Sequence, residues 1–118
     1  MNAVIEICRN YEIERNICIE STNKDFLKLF KTTQHNYKLF FYPDDFESGL
    51  ATVKEMHLFG ITISNKSITA EQIKTAHDNN VRVAVWDVAS ESDNIDAINK
   101  NPDFIQTDNV EGLIKLLK

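Results

Sequence analysis

The sequence predicts an α/β fold built on a parallel sheet, and three observations carry that reading. Helical and strand periods alternate along the chain, the connections between them are short, and cap-type residues stand where helices should begin. Five strand patterns and six helical ones follow in order. No linker, low-complexity tract or internal boundary interrupts them, so residues 1–118 read as a single domain.

Residues 3–15 open with Val4, Ile5, Cys8 and Tyr11, joined by Ile7, on one helical stripe. Ile17-Cys18-Ile19-Glu20 reads as a short buried strand. Cap-type residues from Ser21 to Asp25 precede Phe26, Leu27, Leu29 and Phe30 at helical spacing. The aromatic run Tyr37 to Tyr42 is a strand ending at the turn Pro43-Asp44-Asp45. Phe46 to Glu55 is a short helix around Leu50 and Val53. His57 to Ile63 is the next strand, in which Gly60 marks a bulge or a close approach.

Thr69 and Gln72 have the spacing of a capping box, and Asn79-Asn80 suits a left-handed helix end. Val81 to Trp86 is the clearest strand. Ser90 to Asn99 is a helix with Ile95 and Ile98 inward, and Asn101-Pro102 is a turn. Asp103 to Thr107 is the last strand, and Asp108 or Asn109 caps a final helix through Leu117.

Composition narrows the function classes. Apolar residues make up 42% and charged residues 26%, ordinary globular usage that argues against disorder or a coiled coil. Net charge is −5, from 13 basic and 18 acidic residues, and the lysines are scattered rather than clustered. That argues against nucleic acid as a partner. No apolar run reaches the roughly 20 residues of a membrane span, and no leader pattern opens the chain, so a cytoplasmic protein is expected. Cys8 and Cys18 both lie among apolar residues and read as core, not as metal ligands.

Three segments resemble the glycerophosphodiester phosphodiesterase family. Thr69 to Val88 resembles that family's helix followed by a strand ending Trp-Thr-Val-Asn. Asp103 to Asn109 resembles its last strand, which ends Thr-Asp, and Ile17 to Leu29 resembles a strand ending in serine followed by a helix. The resemblance implies a TIM barrel of which this chain supplies strands four to eight. The expected fold is therefore an incomplete TIM-type (β/α) barrel, five parallel strands with flanking helices.

In such barrels the active residues sit at the C-terminal ends of the strands. Those ends here are Glu20 and Ser21, Tyr42 to Asp45, Ser64 and Asn65, Trp86 and Asp87, and Thr107 and Asp108. Trp86, Asp87, Asp108 and Glu20 are the candidate substrate-binding residues, Trp86 because its family counterpart lines the pocket. Three of them have a structural reading as well: core filling for Trp86, solvent exposure for Glu20, and a helix cap for Asp108. Asp87 and Asp108 close neighbouring strands and are expected to face one rim.

The family hydrolyses deacylated phospholipids with a divalent cation, calcium or magnesium, held by carboxylates, and with acid–base histidines. Those motifs, a His-Arg-Gly turn and a Glu-x-Asp pair, belong to the first strands and lie outside the resembling segments. The resemblance therefore implies no catalytic residue, no metal ligand and no cofactor in this chain. His35, His57 and His77 fall at a helix end, a strand start and within a helix, positions with surface or capping roles. Asp44-Asp45 reads as a turn and helix cap. Asp87 replaces the family's threonine, Ala89 its asparagine, and Asn109-Val110 its common Arg-Pro.

Two functions are compatible with this reading. One is a phosphodiesterase-like barrel piece, inactive alone. The other is a non-catalytic α/β module that self-associates or binds a partner. Five strands are expected to leave a bare inner face and two open edges, which favours a homodimer or a complementing barrel half.

Overall fold

The computed structural model describes residues 2–13, 16–33 and 37–118. Along them run α1 (Asn2–Asn10), β1 (Cys18–Ser21), α2 (Lys24–Thr33), β2 (Lys38–Phe41) and α3 (Phe46–Met56). There follow β3 (Gly60–Ser64), α4 (Ala70–Asp78), β4 (Arg82–Val88), α5 (Glu91–Lys100), β5 (Phe104–Thr107) and α6 (Val110–Leu117). Every strand pair is parallel, and the spatial order β1-β2-β3-β4-β5 is the chain order. Right-handed crossovers of that kind put the connecting helices on one face. The result is an α/β half-barrel.

Strand alternation divides the side chains between two faces. Outward, Leu39, Phe41, Ile61, Ile63, Val83 and Val85 join Leu27, Phe30, Val53, Ile73 and Ala76 from the helices in one buried cluster. Fully burying such a side chain contributes about 1.5–3 kcal/mol, and this outer layer is the main core. The helix ends are fixed locally. Asp45 caps α3 by accepting from Ser48 N at 2.9 Å. Thr69 and Gln72 form the expected capping box on α4. Ser90 and Asp93 form a second capping box on α5.

Inward, the half-barrel fills its own concavity. Phe40, Thr62 and Ala84 are almost wholly buried. The Phe40 ring reaches across to Phe104, 5.8 Å between centroids at 85°, and tilts against Phe59 at 5.5 Å. Gly60 makes room for it. A Cβ on Gly60 would lie 2.6 Å from Phe40 Cε1 and 2.4 Å from the Arg82 carbonyl oxygen. The close approach expected at Gly60 is therefore real, and its cause is an aromatic ring lying over the strand.

Several expectations change. The inner face is not bare, because aromatic side chains from different strands meet across the arc. The first helix ends at Asn10, earlier than residue 15, and only Ile5 and Cys8 of its stripe are buried, while Val4, Ile7 and Tyr11 are exposed. β1 is a half-exposed edge strand rather than a buried one, since it pairs on one side only. For the same reason Cys18 is exposed and not core, whereas Cys8 is buried. His57 does not start a strand. It ends α3 in the left-handed conformation, φ 53°, and β3 begins at Gly60. Ile95 points outward, and α5 instead buries Asn94 and Ala97. Of the two cap candidates for α6, Asn109 is the one that caps it, accepting from Gly112 N at 3.0 Å, and Asp108 is not a cap.

Gly60→Ala is expected to destabilise the chain by about 1–3 kcal/mol, since both nearby groups are confined. Urea unfolding followed by circular dichroism checks this. An unchanged midpoint would show that the Phe40 ring is free to move aside.

Candidate functional site at the C-terminal rim

The C-terminal strand ends form a rim whose shape is set by an irregularity in β4. The β4–β5 register runs Val85↔Ile105 and then Val88↔Thr107, so one extra residue is inserted. That residue is Asp87, with φ 62° in the left-handed region that non-glycine residues seldom occupy. The bulge lets Val88 return to the outer core while Trp86 stays on the inner face. Asp87 is thereby left on the rim itself.

Trp86 stacks on Tyr42, with ring centroids 5.5 Å apart and 28° between planes. Its indole Nε1 is buried without an acceptor among the described residues, and the hydroxyl of fully buried Thr62, further down the same face, is in the same condition. The Asp87 carboxylate is turned towards β3. It pairs with Lys66 Nζ at 3.3 Å and accepts from Ser64 Oγ at 3.4 Å. Glu20 Oε1 accepts from Gln106 Nε2 at 2.7 Å, linking the inner faces of the two edge strands. Asp108 is exposed at the end of β5, its backbone N–H bonded to the Val88 oxygen at 2.8 Å.

Of the four candidate residues, Glu20, Trp86 and Asp87 have defined neighbours on this rim, while Asp108 lies one strand beyond the bulge. Asp87 engages β3, so the structure shows no joint arrangement of Asp87 with Asp108. Tyr42, Ser64, Lys66 and Gln106 complete the site. Sequence reading did not single out Lys66 or Gln106, because nothing local reveals a partner many residues away.

A polar clasp supports the rim from outside. Asn65 Nδ2 donates to Asp96 Oδ2 at 2.9 Å, and Lys100 Nζ donates both to Asp96 Oδ2 at 2.9 Å and to the main-chain oxygen of Asn65 at 2.5 Å. The Lys100 ammonium, helped by the Asn65 amide, holds the Asp96 carboxyl below its ordinary range. At the next strand end, Thr107 Oγ1 donates to Asn94 Oδ1 at 2.7 Å, and Asn94 Nδ2 donates to the Asn109 oxygen at 3.2 Å. Both asparagines are almost completely buried.

The remaining titratable candidates have structural duties. His77 Nε2 lies 2.7 Å from Asp103 Oδ2, which also accepts from Val83 N at 2.7 Å, at the opposite, N-terminal end of the strands. The main-chain oxygens of Met56 and His57 accept from Lys31. His35 lies outside the described residues. Glu91-Ser92-Asp93 has the Glu-x-Asp spacing, but Asp93 accepts from Ala89 N and Ser90 N, both at 3.1 Å, as the far half of its capping box. Those backbone donors lower its carboxyl below the ordinary range. Asp45 is lowered in the same way by Ser48. Among the described residues, no three histidine, cysteine or acidic groups come together as cation ligands.

The family model described as "Glycerophosphoryl diester phosphodiesterase family" matches residues 1–112. The chain belongs to that family. No curated protein sequence matches it. Among solved structures, it superposes on a provisionally assigned glycerophosphoryl diester phosphodiesterase of Silicibacter pomeroyi DSS-3 with TM-score 0.82 and 19% identity, covering 98% of this chain and 43% of that one. A glycerophosphodiester phosphodiesterase of Parabacteroides distasonis gives 0.82 and 18%, covering 98% and 49%. A phosphodiesterase of Oleispira antarctica, in complex with the product sn-glycerol-3-phosphate, gives 0.76 and 13%, covering 85% and 41%. The chain thus spans less than half the length of each of these phosphodiesterase-fold structures. At such identities the likeness shows the fold, and the rim of this chain is a family rim in position only.

Two measurements test the rim. Because the folded Asp96 carboxyl is lowered, its stabilising effect is complete above the ordinary carboxylate range and is lost as pH falls through the folded value. Asp96→Asn should therefore flatten stability against pH below about pH 4, as read by chemical unfolding at several pH values. A wild-type acid profile in Asp96→Asn would contradict this. Asp87→Gly should relieve the left-handed backbone and leave stability equal or higher, by up to about 1 kcal/mol. A clear loss would show that the Lys66 pair outweighs the strain.

Proposed function

We propose that this chain is the C-terminal part of a barrel that hydrolyses glycerophosphodiesters, the deacylated phospholipids of lipid metabolism. In this reading it is a single partial-barrel domain that supplies the substrate-contacting rim. The metal ligands and acid–base histidines belong to the part of the barrel it lacks, so it is inactive alone. The observation that carries the reading is the family match over residues 1–112 together with a buried indole donor at the strand ends that has no acceptor among the described residues. A buried donor left unmade costs about 1–3 kcal/mol, and a ligand oxygen would remove that cost.

Roles follow from the neighbours of each residue. Trp86 donates from Nε1 to a hydroxyl or phosphate oxygen and offers an apolar wall with Tyr42. Lys66, held beside Asp87, brings positive charge to a phosphodiester. Glu20 and Asp108 contact glycerol or head-group hydroxyls at the two ends of the arc. The Oleispira antarctica structure holds sn-glycerol-3-phosphate, a ligand of the same chemistry. Calcium or magnesium would enter with the rest of the barrel. The setting is cytoplasmic, a reading supported by the ordinary acidic composition. Among the described residues no helix is long and apolar enough to cross a membrane. The partner is a second copy or a complementing barrel half.

A non-catalytic binding module is the second reading. It is favoured by the Lys66–Asp87 pair, which already satisfies the one acidic group that the bulge presents. Trp86 is the sole tryptophan, so its emission reports on the rim directly. Titration with sn-glycerol 3-phosphate should give a saturable change that Lys66→Ala weakens by about tenfold. The chain alone should release no glycerol phosphate from glycerophosphocholine with calcium or magnesium. Turnover by the chain alone that Asp87→Ala or Asp108→Ala abolishes would overturn the assignment of catalysis to the absent part. A silent Trp86 would favour the binding-module reading.

A further inference from the structure

At the N-terminal ends of β2, β3 and β4, opposite the rim, the chain forms a cleft of about 380 Å³. That volume is at the small end of the range for ligand sites. Buried Leu39 and Leu58 and half-buried Tyr37 and Phe59 are its apolar lining. Lys31, His57, Asn80 and Arg82 are its polar lining. All of these residues lie between α2 and β4, in the interior of the arc, so the cleft is complete within this chain. Although the chain has net charge −5, the described lining holds a lysine, an arginine and a histidine and no carboxylate.

The cations of this cleft are fixed but not neutralised. Lys31 Nζ donates to the main-chain oxygens of Met56, at 2.8 Å, and of His57. An ammonium has three donors, so one remains on a head group that two carbonyls hold still. Arg82 Nη1 lies 3.7 Å from Asp103 Oδ1, too long for a hydrogen bond, and its side chain is 53% exposed. The other Asp103 oxygen accepts from Val83 N and contacts His77. Lys38 Nζ, 5.9 Å from the centre of the Phe59 ring, adds positive charge beside the cleft. Stability alone would be served by close carboxylate partners, such as those of Lys74 and Lys100 on α4 and α5. We infer that the cleft binds a small phosphate ester, its phosphate held by Lys31 and Arg82 and its apolar body against Tyr37 and Phe59. The guanidinium fork matches two phosphate oxygens, and the ammonium and the His57 ring can serve the third. The inference is independent of the phosphodiester reading, because the rim lies at the other end of the strands.

The test is a titration of the full chain with phenyl phosphate, followed in proton–nitrogen correlation spectra. It is run in a Lys66→Ala background, which removes the cation of the rim. Amide shifts should gather at His57, Leu58, Asn80 and Arg82, while the Trp86 indole signal stays in place. Inorganic phosphate, which lacks the apolar body, should move the same amides with about tenfold weaker affinity. Phenol, which lacks the charge, should move them little at the same concentrations. Arg82→Gln should weaken phenyl phosphate about tenfold and Arg82→Lys should recover part of the loss. Circular dichroism should be unchanged in both, since the Arg82 side chain is exposed. His57→Asn, a residue that tolerates the left-handed φ of 53°, should weaken binding without unfolding the end of α3. Equal affinity in Arg82→Gln, shifts that gather at Trp86, or phenol binding as tightly as phenyl phosphate would each overturn the inference.

Discussion

Phe40 touches Phe104 although two strands separate them, and much of the molecule depends on that contact. In a flat sheet, strands three places apart are about 14 Å apart. Their rings meet at 5.8 Å because the sheet curls and its concave side chains converge. The contact needs room on the intervening strands, which Gly60 and Ala84 provide. It also gives a short five-stranded arc a second, inner layer of burial to add to the helix-covered one. Without it the inner face would be wet and the strand ends would have no fixed relation to one another.

Curvature brings the rim residues together. Glu20 and Gln106 stand on opposite edges of the sheet yet share a hydrogen bond of 2.7 Å. The bulge at Asp87 then trims the rim locally, keeping Trp86 inward and Val88 outward. Buried asparagines and the Asp96–Lys100 clasp hold the outer ends of β3 and α5 in place, so the rim is braced from behind. The opposite end of the strands carries the His77–Asp103 contact instead.

Much of this organisation is legible in the residues. Thr69 and Gln72 announce their helix, Val81 to Trp86 its strand, and Asp45 its cap, because each depends on neighbours a few positions away. The family membership was also readable, from the ends of two strands and the order of the segments. What could not be read is whatever depends on curvature or on sheet edges. Cys18 and Ile95 look like core by composition, but their surroundings are decided by strands and helices distant in sequence. The Lys66–Asp87 pair and the Glu20–Gln106 bond join residues 21 and 86 positions apart, and no local pattern marks them. Asn109 took the cap from its neighbour Asp108 because Asp108 is still tied to β4 through its backbone.

The curled arc is the claim on which the inner layer, the rim and the missing strands all rest. Nuclear Overhauser contacts between the ring protons of Phe40 and Phe104 test it most directly. The account predicts such contacts, and predicts that Gly60→Ala weakens them. Their absence in the folded wild-type chain, with the β2–β3 and β4–β5 pairings intact, would mean a flat sheet and would contradict it.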